Sequence, residues 1–512
     1  MSTWSAGYMS EIEYLSGYYA ELNPLRTQLA FLKEGLVPPN VKHACELGFG
    51  QGVTVNIHGA SSNVNWYGTD FNPAQTAFAQ EMSAATGATL TLSDAAFEEY
   101  CQDDSLPGFD FIALHGIWSW ISDDNRHVIV DFLRRKLNVG GVVYLGYNTE
   151  PGWSAFAPIR NILADHAKTM GAKGTSVISR VDDAISFVNK LMDVNPAFAK
   201  ANPGLKKRLE NLTAQDRKYL AHEYFNEHWH PMQFGEMATW LEDAKLSFAC
   251  SAHYLDHIDG INLTSEQQEL LSGIEDPTFQ QSVRDIIVNQ QFRRDYWVKG
   301  ARKLNPVERL EAIRKQRIVL TVPRPDVKLE VKGNLGKANM SEKIYVPILN
   351  SLADHQPKTI AQIEEEVKEH DIGIHQLVEA VMVLGAGNVA PVQDDEAVSQ
   401  TKKRTDQLNR YLCKKAQTSN QITTLASPVT GGGLPVIHIE QLFIEAINSG
   451  DSQPAQWAAH AWQHFAIQGQ RIVKDGKPLQ SEEENLAELT ERAKRFEQKR
   501  LPMLKALKVI PG

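Results

Sequence analysis

The segment Val41-Lys-His-Ala-Cys-Glu-Leu-Gly-Phe-Gly-Gln-Gly52 decides the fold, because an apolar run ends here in three closely spaced glycines. Val41–Leu47 has the composition of a buried strand, and Gly48, Gly50 and Gly52 permit a tight turn into a following helix. In a parallel α/β sheet, such a turn lets the backbone approach a ligand at the carboxyl edge of the strands. The loop alone is weak support for a binding site, since an ordinary turn explains it about as well.

Strand-like and helical segments alternate around this loop, through residues 41–150, as in the βαβ units of a parallel sheet. The predicted strands are Val41–Leu47, Val64–Thr69, Leu90–Leu92, Phe109–Leu114 and Val142–Gly146, and the predicted helices are Pro73–Thr86 and Asp124–Leu137, with Asp123 or Asp124 as the cap of the second. Residues 155–230 show helical patterns only, and then a helix (Pro231–Asp243) and a strand (Leu246–Ala252) would continue the sheet. We therefore predict a Rossmann-like α/β domain of residues 1–154 and 231–260, interrupted by a helical insertion, 155–230.

Acidic residues stand at the ends of three predicted strands. Asp70 ends the second strand, 22 residues after Gly48, where a carboxylate can bind both hydroxyls of a ribose. Asp94 follows the third strand and could accept a hydrogen bond from an adenine amino group. These features in this order predict a nucleoside cofactor. NAD fits less well because Val53 replaces the third glycine of G-x-G-x-x-G, whereas Glu46 would oppose the ammonium and sulfonium charges of S-adenosylmethionine.

In these residues the chain resembles the class I S-adenosylmethionine-dependent methyltransferases. The resemblance implies that the glycine loop surrounds the methionine part of the cofactor, that Asp70 binds the ribose and that Asp94 binds the adenine. The cofactor-binding residues expected from it are Glu46, Gly48, Gly50, Gly52, Asp70, Phe71, Asp94, Ala95 and His115.

Motifs further along the chain narrow the resemblance. They are His115-Gly-Ile-Trp-Ser-Trp120, Tyr147-Asn-Thr-Glu-Pro-Gly-Trp153, His222-Glu-Tyr-Phe225, Pro231-x-x-Phe234 and Asn289-Gln-Gln-Phe-Arg-Arg294. Together they look like the methyltransferases that carry a methyltransferase regulatory domain, such as the rickettsial outer-membrane-protein lysine methyltransferases. The resemblance implies a protein lysine as the methyl acceptor. The chain departs from the family pattern at Phe49, Thr54 and Trp118, where Cys, Asn and Tyr are common.

The residues after the fourth and fifth strands are candidates for the reaction centre, because ligands of open α/β sheets bind beyond the carboxyl ends of the strands. Methyl transfer is a direct displacement, so the site must align the acceptor with the methyl group and exclude water. We predict Tyr147, Asn148, Trp153 and His115 as the catalytic residues. Tyr147 and Trp153 would form aromatic walls that favour a neutral lysine amine, and His115 would accept its proton or hold a loop.

Two groups of aromatic residues allow two interpretations each. Trp118 and Trp120 either line the substrate mouth or lie in the core beneath a loop. Tyr14, Tyr18 and Tyr19 precede the first strand and either close over the cofactor or belong to a surface helix.

A histidine-rich segment ends the insertion. His222, His228 and His230 are close in sequence to Glu223 and Glu227. The H-E-x-x-H spacing of metal-binding helices is absent, so we expect no metal and expect this segment to pack the insertion against the sheet.

Composition limits the kinds of partner. The 512 residues suffice for several domains, and a hydrophobic content of 42% indicates a folded globular chain. The net charge of −10 disfavours nucleic acid or an anionic membrane as partner, and no apolar stretch is long enough for membrane insertion. Four widely separated cysteines exclude a disulfide scaffold and a cysteine zinc site. Because the N-terminus lacks a signal-peptide pattern, we expect a cytoplasmic protein.

Mainly helical domains are predicted beyond residue 260. They are a helical middle or regulatory domain (261–330), a winged-helix-like domain (335–395) after the linker Pro323-Arg-Pro325, and a C-terminal α+β domain (400–512). The winged-helix-like pattern consists of the helices Glu342–Ala353, Thr359–Glu369 and Ile374–Leu384. Because residues 341–390 contain three lysines against eight acidic residues, we expect this domain to contact protein rather than DNA. The apolar insertion is the candidate for forming a homodimer.

The sequence thus predicts an S-adenosylmethionine-dependent methyltransferase that acts on lysine side chains of proteins. Two alternatives stay open. The acceptor could be a small molecule or natural product, or the protein could be a regulator that binds S-adenosylmethionine without transferring its methyl group. Intact Glu46, Asp70 and Asp94 are compatible with each of these functions.

Overall fold

The computed structural model describes residue 12 and residues 16–88, 90–171 and 174–510. Strands and helices alternate in its first third, as expected for βαβ units. The elements are α1 (Leu25–Lys33), β1 (His43–Leu47), α2 (Val53–Ser61), β2 (Asn65–Thr69), α3 (Pro73–Thr86), β3 (Leu90–Ser93), α4 (Phe97–Cys101), β4 (Phe109–His115), α5 (Asp123–Lys136) and β5 (Leu137–Asn148). The five predicted strands and both predicted helices are confirmed.

A helical insertion follows β5, as predicted. It comprises α6 (Glu150–Trp153), α7 (Ala157–Thr169), α8 (Val177–Asp193), α9 (Ala197–Ala201), α10 (Leu205–Thr213) and α11 (Arg217–Tyr224). Phe156, Leu163, Val181 and Leu209 belong to one apolar cluster, so these helices bury their apolar faces largely against one another. The apolar faces are therefore no longer an argument for a dimer, and dimerisation through the insertion stays a prediction.

The chain then returns to the sheet. The next elements are α12 (Phe234–Glu242), β6 (Leu246–Ser251), α13 (Asp259–Asn262), α14 (Ser265–Ser272), α15 (Pro277–Ile287) and β7 (Phe292–Lys299). The expectation of a separate helical middle or regulatory domain over residues 261–330 needs correction, because β7 is a strand of the central sheet between β5 and β6. The charged residues Arg293 and Asp295 break the apolar pattern by which this strand would be recognised in the sequence. Both side chains are nevertheless buried in the structure.

The central sheet has seven strands in the order β3-β2-β1-β4-β5-β7-β6. β1 to β5 are parallel, whereas β7 runs antiparallel to both β5 and β6. Successive side chains along each strand enter different apolar clusters: Ala44 and Phe111 lie in one, and Cys45 and Ile112 in the other. These strands are therefore covered on both faces, and ligands of such open α/β sheets bind at the carboxyl edge.

A second, smaller sheet belongs to the middle of the chain. The elements here are α16 (Pro306–Lys315), β8 (Arg317–Leu320), β9 (Glu330–Gly333), β10 (Gly336–Asn339), α17 (Glu342–Ser351), β11 (Lys358–Thr359), α18 (Ile360–Glu366), α19 (Ile374–Leu384) and β12 (Val389–Pro391). In the strand order β11-β8-β12, β8 pairs with β11 and β12, two strands that belong to the same region as the three predicted helices. A boundary between residues 330 and 335 is therefore wrong, because β8 lies before the predicted linker but pairs with strands after it. The winged-helix assignment stays a prediction.

The C-terminal region packs against the first two βα units. It contains α20 (Asp395–Lys415), β13 (Thr424–Ser427), β14 (Gly432–Pro435), α21 (His438–Asn448), α22 (Pro454–Ile467), β15 (Val473–Lys474), β16 (Lys477–Pro478), α23 (Glu482–Arg495) and α24 (Leu501–Ala506). Val53 and Ile57 of α2 share an apolar cluster with Leu408 and Leu412 of α20. The Thr405 hydroxyl also donates a hydrogen bond to the Ala60 carbonyl (3.1 Å). This region therefore supports the helix that follows the glycine loop.

Short helical turns complete the described chain. These are the 3₁₀ helices Ala20–Leu22, Trp118–Trp120, Tyr254–His257, Arg324–Asp326 and Lys368–His370, and a π-helical turn, Phe496–Arg500. Among the helices of the described ranges, none is long and apolar enough to cross a membrane. These ranges also contain no group of three or more His, Cys, Asp or Glu side chains placed to hold a metal ion.

Two helix starts differ from the prediction. The N-cap of α5 is Ser122, whose hydroxyl accepts a hydrogen bond from the Asn125 backbone N–H (3.3 Å), and not Asp123 or Asp124. α12 begins at Phe234 rather than at Pro231. The preceding segment is extended because Met232 donates its backbone N–H to the carbonyl of Asn148 at the end of β5.

A buried ion cluster fixes β7 in the sheet. The Arg293 guanidinium contacts the carboxylates of Asp285 (2.5 Å) and Asp295 (2.8 Å), and the Tyr147 hydroxyl donates to Asp295 (3.1 Å). Each of the three charged side chains is less than one-tenth exposed. Burial raises the pKa of Asp285 to about 6 even beside Arg293, so this cluster depends on its single cation.

We expect Arg293→Met to destabilise the protein strongly. Removal of one partner from a buried ion cluster costs roughly 3–5 kcal/mol because the remaining charges lose their compensation. Thermal denaturation followed by circular dichroism should show a lower transition temperature. The matched control is Arg134→Met, which removes an exposed partner of Asp131 and should have little effect. Equal transition temperatures for the two variants would contradict a stabilising role of the cluster.

Candidate active site

A cavity of about 230 Å³ lies at the carboxyl ends of β1, β2 and β4. The glycine loop, Asp70 and His115 border it, together with Tyr19 from the segment before α1 and Trp120 after β4. This is the edge at which open α/β sheets bind their ligands. The structure therefore brings together most of the residues predicted to bind the cofactor, including Glu46, Phe71 and Ala95.

The glycine loop needs glycine for conformation and for space. Gly48, Gly50 and Gly52 have φ values of +73°, +56° and +69°, which favour glycine. A Cβ atom on Gly48 would lie 2.4 Å from the Ile117 side chain, and one on Gly52 would lie 2.4 Å from the Ala79 Cβ atom. The loop therefore lets β4 and α3 approach β1 closely and leaves backbone at the cavity wall.

Asp70 is held by backbone N–H groups. Its carboxylate accepts hydrogen bonds from Gly50 (2.8 Å) and Asn72 (3.0 Å). Burial nevertheless raises the pKa of Asp70 to about 6. The carboxylate is thus fixed between the ends of β1 and β2, at the border of the cavity.

Glu46 is a buried carboxyl group that lacks a complete set of partners. Only 4% of the residue is exposed, and its Oε2 atom has no hydrogen-bond partner among the described residues. Burial, and then the charge of Asp70, raise the pKa of Glu46 to about 8. Two carboxyl groups at one cavity with one unsatisfied oxygen are suited to a ligand that carries positive charge.

His115, at the end of β4, borders the cavity among aromatic rings. A hydrogen bond of 2.7 Å joins its Nδ1 atom to the Tyr144 hydroxyl, and the Tyr19 ring centroid lies 3.7 Å from that of the imidazole. Burial lowers the pKa of His115 to about 4, so the ring is neutral at pH 7. The neutral ring packs as part of an aromatic wall and adds no positive charge to the cavity.

The segment before α1 lies against the cavity and is tied to α2. Tyr19 donates its backbone N–H to the Thr54 hydroxyl (3.2 Å), and a hydrogen bond of 3.1 Å joins the Tyr18 hydroxyl to His58 Nε2. Tyr19 borders the cavity itself. Tyr14 lies outside the described residues.

The structure does not bring Tyr147 and Trp153 to this cavity. Tyr147 is fully buried in the core on one face of the sheet, where its hydroxyl bonds to Asp295. Trp153 belongs to the core of the insertion, and its indole N–H donates to the carbonyl of Gln291 (3.0 Å). Their expected position as aromatic walls is therefore wrong for the described cavity, and Tyr19 and Trp120 occupy its border instead.

Asn148 and Asp94 also lie outside the lining. Asn148 is buried, with its backbone N–H donated to the Ser119 hydroxyl (2.9 Å). Asp94 is exposed, and the next residue, Ala95, accepts a hydrogen bond at its carbonyl from the Thr69 hydroxyl. A role of Asp94 in adenine binding is not supported by its position and stays a prediction.

Of the two tryptophans after β4, one lies in the core and the other lies at the cavity. Trp118 is fully buried in the core, and its indole N–H points to the Met232 sulfur (3.1 Å). Trp120 borders the cavity and donates its indole N–H to the Glu223 carbonyl (3.4 Å). Residues 118–120 form a single 3₁₀ turn, so adjacent positions face different surroundings.

Sequence reasoning missed several residues of the lining. These are Phe49, Asn72, Gln75, Phe97, Ile117 and Asn125. A signal existed for Asn72, since Asp70-Phe-Asn-Pro73 places a capping residue one position before a helix-starting proline. The Asn72 side chain accepts hydrogen bonds from the first turn of α3, which fixes the backbone beside Asp70. The other residues carry no pattern that separates them from core positions.

Comparison with known sequences decides the family. An uncharacterised protein of the cyanobacterium Synechocystis sp. is 38% identical over 99% of this chain and 99% of its own length. The family model "predicted methyltransferase regulatory domain" matches residues 216–299. The chain belongs to the class I S-adenosylmethionine-dependent methyltransferases with a methyltransferase regulatory domain. The matched region runs from α11 to β7 and so includes the last two strands of the sheet.

Solved structures agree with this fold. PKMT2 from Rickettsia typhi, in complex with AdoHcy, superimposes with a TM-score of 0.71 over 98% of this chain and 100% of its own, at 16% identity. A protein of Rickettsia prowazekii is 25% identical over 61% of this chain and 56% of its own length. At these identities the structural match shows a shared fold from the sheet to the C-terminal region.

We expect the stability of the protein to depend on pH because Glu46 is buried. Its folded-state pKa is raised above the unfolded value, so the folded state holds the proton that the unfolded state releases between about pH 5 and 8. Stability should therefore fall as pH rises through this window, by about 1.4 kcal/mol per pH unit for one carboxyl group. Glu46→Gln removes this loss, so its advantage in transition temperature over the wild type should grow from pH 5 to pH 8.

Glu98→Gln is the matched control, because Glu98 borders the same cavity but is exposed. This variant should follow the wild type at each pH. A constant difference between Glu46→Gln and the wild type would contradict the assignment of Glu46 as a buried, largely protonated group.

Proposed function

We propose that the protein transfers the methyl group of S-adenosylmethionine to the side-chain amine of lysine in a protein substrate. The observation that carries the proposal is the unsatisfied, buried carboxyl group of Glu46 beside the glycine loop and Asp70. A neutral nucleoside would leave this oxygen without compensation, whereas a methyl donor with ammonium and sulfonium groups supplies the opposite charge.

Different residues at the carboxyl edge of the sheet would bind different parts of the methyl donor. Glu46 and the backbone of the glycine loop would bind the methionine end, and Asp70 would bind the ribose hydroxyls. Ala95 and Phe97 border the cavity beyond β3 and would pack against the base. When bound, S-adenosylmethionine supplies a methyl group on a positively charged sulfur, which is a reactive leaving group for a neutral amine.

The aromatic residues that border the cavity would bind the acceptor. Tyr19, His115 and Trp120 border the cavity with aromatic rings. Such a wall favours the neutral form of an amine and can also contact a cationic product. Because methyl transfer is a direct displacement, alignment and exclusion of water are the main tasks of these residues.

Two comparisons support the proposal. The chain shares its fold with PKMT2 from Rickettsia typhi, which was solved with AdoHcy. The motifs between residues 115 and 294 resemble the rickettsial outer-membrane-protein lysine methyltransferases, which implies lysine as acceptor. A cytoplasmic location and a homodimer are parts of the same proposal.

The test is transfer of labelled methyl from S-adenosylmethionine into a cell lysate, separated into protein and small-molecule fractions. We expect label in the protein fraction, and acid hydrolysis should release it as methyl-lysine. Label in small molecules alone would indicate a different acceptor class, and label in neither fraction would indicate a protein that binds the donor without transferring it.

Two aspartate variants test whether the measured methyl transfer depends on the proposed donor site. Asp70→Asn should reduce transfer at least tenfold, because each hydrogen bond to a charged group contributes roughly 1.5–3 kcal/mol. Asp94→Asn should retain most of the activity, since Asp94 is exposed and outside the lining. Equal activities of the two variants would contradict the assignment of Asp70 to the donor site.

A further inference from the structure

A second cavity, of about 340 Å³, is lined by residues of β6, β7, α14 and α15. Apart from Glu34, its described lining residues all belong to the region that the regulatory-domain model matches. The two cavities share no described lining residue. The second cavity is therefore separate from the cavity at the glycine loop.

One buried carboxylate at this second cavity lacks a complete set of partners. Asp285 is only 2% exposed, and its Oδ1 atom pairs with Nη1 of Arg293 (2.5 Å). Its Oδ2 atom has no hydrogen-bond partner among the described residues. Asp285 lies in α15 and Arg293 in β7, and both residues border the cavity, so the carboxylate lies where these two elements meet at its wall. A ligand that donates a hydrogen bond to Oδ2 would remove the cost of this unpaired oxygen.

Three glutamines add hydrogen-bond acceptors to the lining. The side-chain nitrogen atoms of Gln268, Gln280 and Gln290 each donate to a backbone carbonyl, at distances of 2.7–3.0 Å. These bonds orient the amides, and in the described part of the chain no group donates to their side-chain oxygens. A ligand of this cavity therefore meets acceptors that need N–H or O–H donors.

The charge of the lining is negative. Among the described lining residues, five carboxylates (Glu34, Asp256, Asp259, Asp285 and Asp295) outnumber two guanidinium groups and one imidazole. Both guanidinium groups are already engaged. Arg293 contacts Asp285 and Asp295, and Arg284 donates to the Asp256 carbonyl (2.8 Å) and lies 3.5 Å from Asp259. The excess of carboxylates favours a ligand that carries positive charge.

Apolar residues complete the lining and distinguish between kinds of cation. Phe248, Leu263 and Leu271 border the second cavity together with the polar residues. In the described ranges, no group of three or more His, Cys, Asp or Glu side chains is placed to hold a metal ion. A cation that also carries apolar carbon atoms therefore matches this lining better than a metal ion does.

We propose that the second cavity binds a small organic ammonium ion. The ammonium group donates to Asp285 Oδ2 and to the glutamine oxygens, and the carbon chain packs against Leu263 and Leu271. A primary ammonium group has three N–H donors and no acceptor, so it matches a lining of acceptors. An ammonium at Asp285 adds a second cation to the cluster of Arg293 and Asp295, and its binding thereby stabilises the packing of α15 on β7. This site is independent of the methyl acceptor.

The test uses n-butylammonium as the probe and n-butanol as its neutral counterpart, with binding to the full-length chain measured by calorimetric titration. We expect n-butylammonium to bind the wild type roughly tenfold or more tightly than it binds Asp285→Asn, because the variant loses a charged acceptor. n-Butanol should not distinguish the two proteins. The matched control is Glu275→Gln, which removes an exposed carboxylate between α14 and α15 outside the lining and should behave like the wild type.

A second variant keeps the test decisive if Asp285→Asn does not fold. Gln280→Met removes an amide oxygen without touching the ion cluster, and it should also weaken binding of n-butylammonium roughly tenfold. The probe should raise the transition temperature of the wild type more than that of Gln280→Met. Equal affinity for the wild type and for the folded variants, or no saturable binding to the wild type, would overturn the inference. Binding that Glu46→Gln abolishes and Gln280→Met leaves intact would place the probe in the other cavity and would overturn it as well.

Discussion

The turn at Gly48–Gly52 is the constraint on which the rest of the site depends. Its left-handed residues end β1 within the core and start α2 without side chains in between, so Ile117 and Ala79 can approach closely. The turn leaves Glu46 buried at the end of a strand that is covered on both faces. Strand pairing places Asp70 after β2 and His115 in β4 relative to this turn.

Three parts of the chain meet at this edge. The C-terminal region supports α2 and α3 from outside, through Leu408, Leu412 and the hydrogen bond from Thr405 to Ala60. The insertion leaves after β5 and returns with α11 beside Trp120. The segment before α1 lies between them and contributes Tyr19. The sheet thus provides the glycine loop, Asp70 and His115, and segments outside the strands add Tyr19 and Trp120 to the lining.

The sequence predicts those features that depend on local pattern. β1 to β5 were predictable because apolar runs end in glycine or aspartate, and Asp70 was predictable because it ends such a run. β7 was not, because Arg293 and Asp295 break its apolar pattern and find their partners only in the folded protein. Tyr147 lies in β5 and Trp153 in α6 directly after it, but the sequence did not show that both side chains enter apolar cores. Tyr19 reaches the cavity through its contact with Thr54 of α2, a segment that lies far from it in sequence.

The central proposal is that the Glu46 carboxyl group binds the positively charged part of the methyl donor. At pH 7 a carboxyl group with a pKa of about 8 is mostly protonated, and a bound cation should make it release that proton. Calorimetric titration with S-adenosylmethionine in buffers of different ionisation enthalpy counts the protons released. The account predicts release of about one proton per molecule bound by the wild type and none by Glu46→Gln. Binding heats that do not depend on the buffer, or equal release by both proteins, would contradict it.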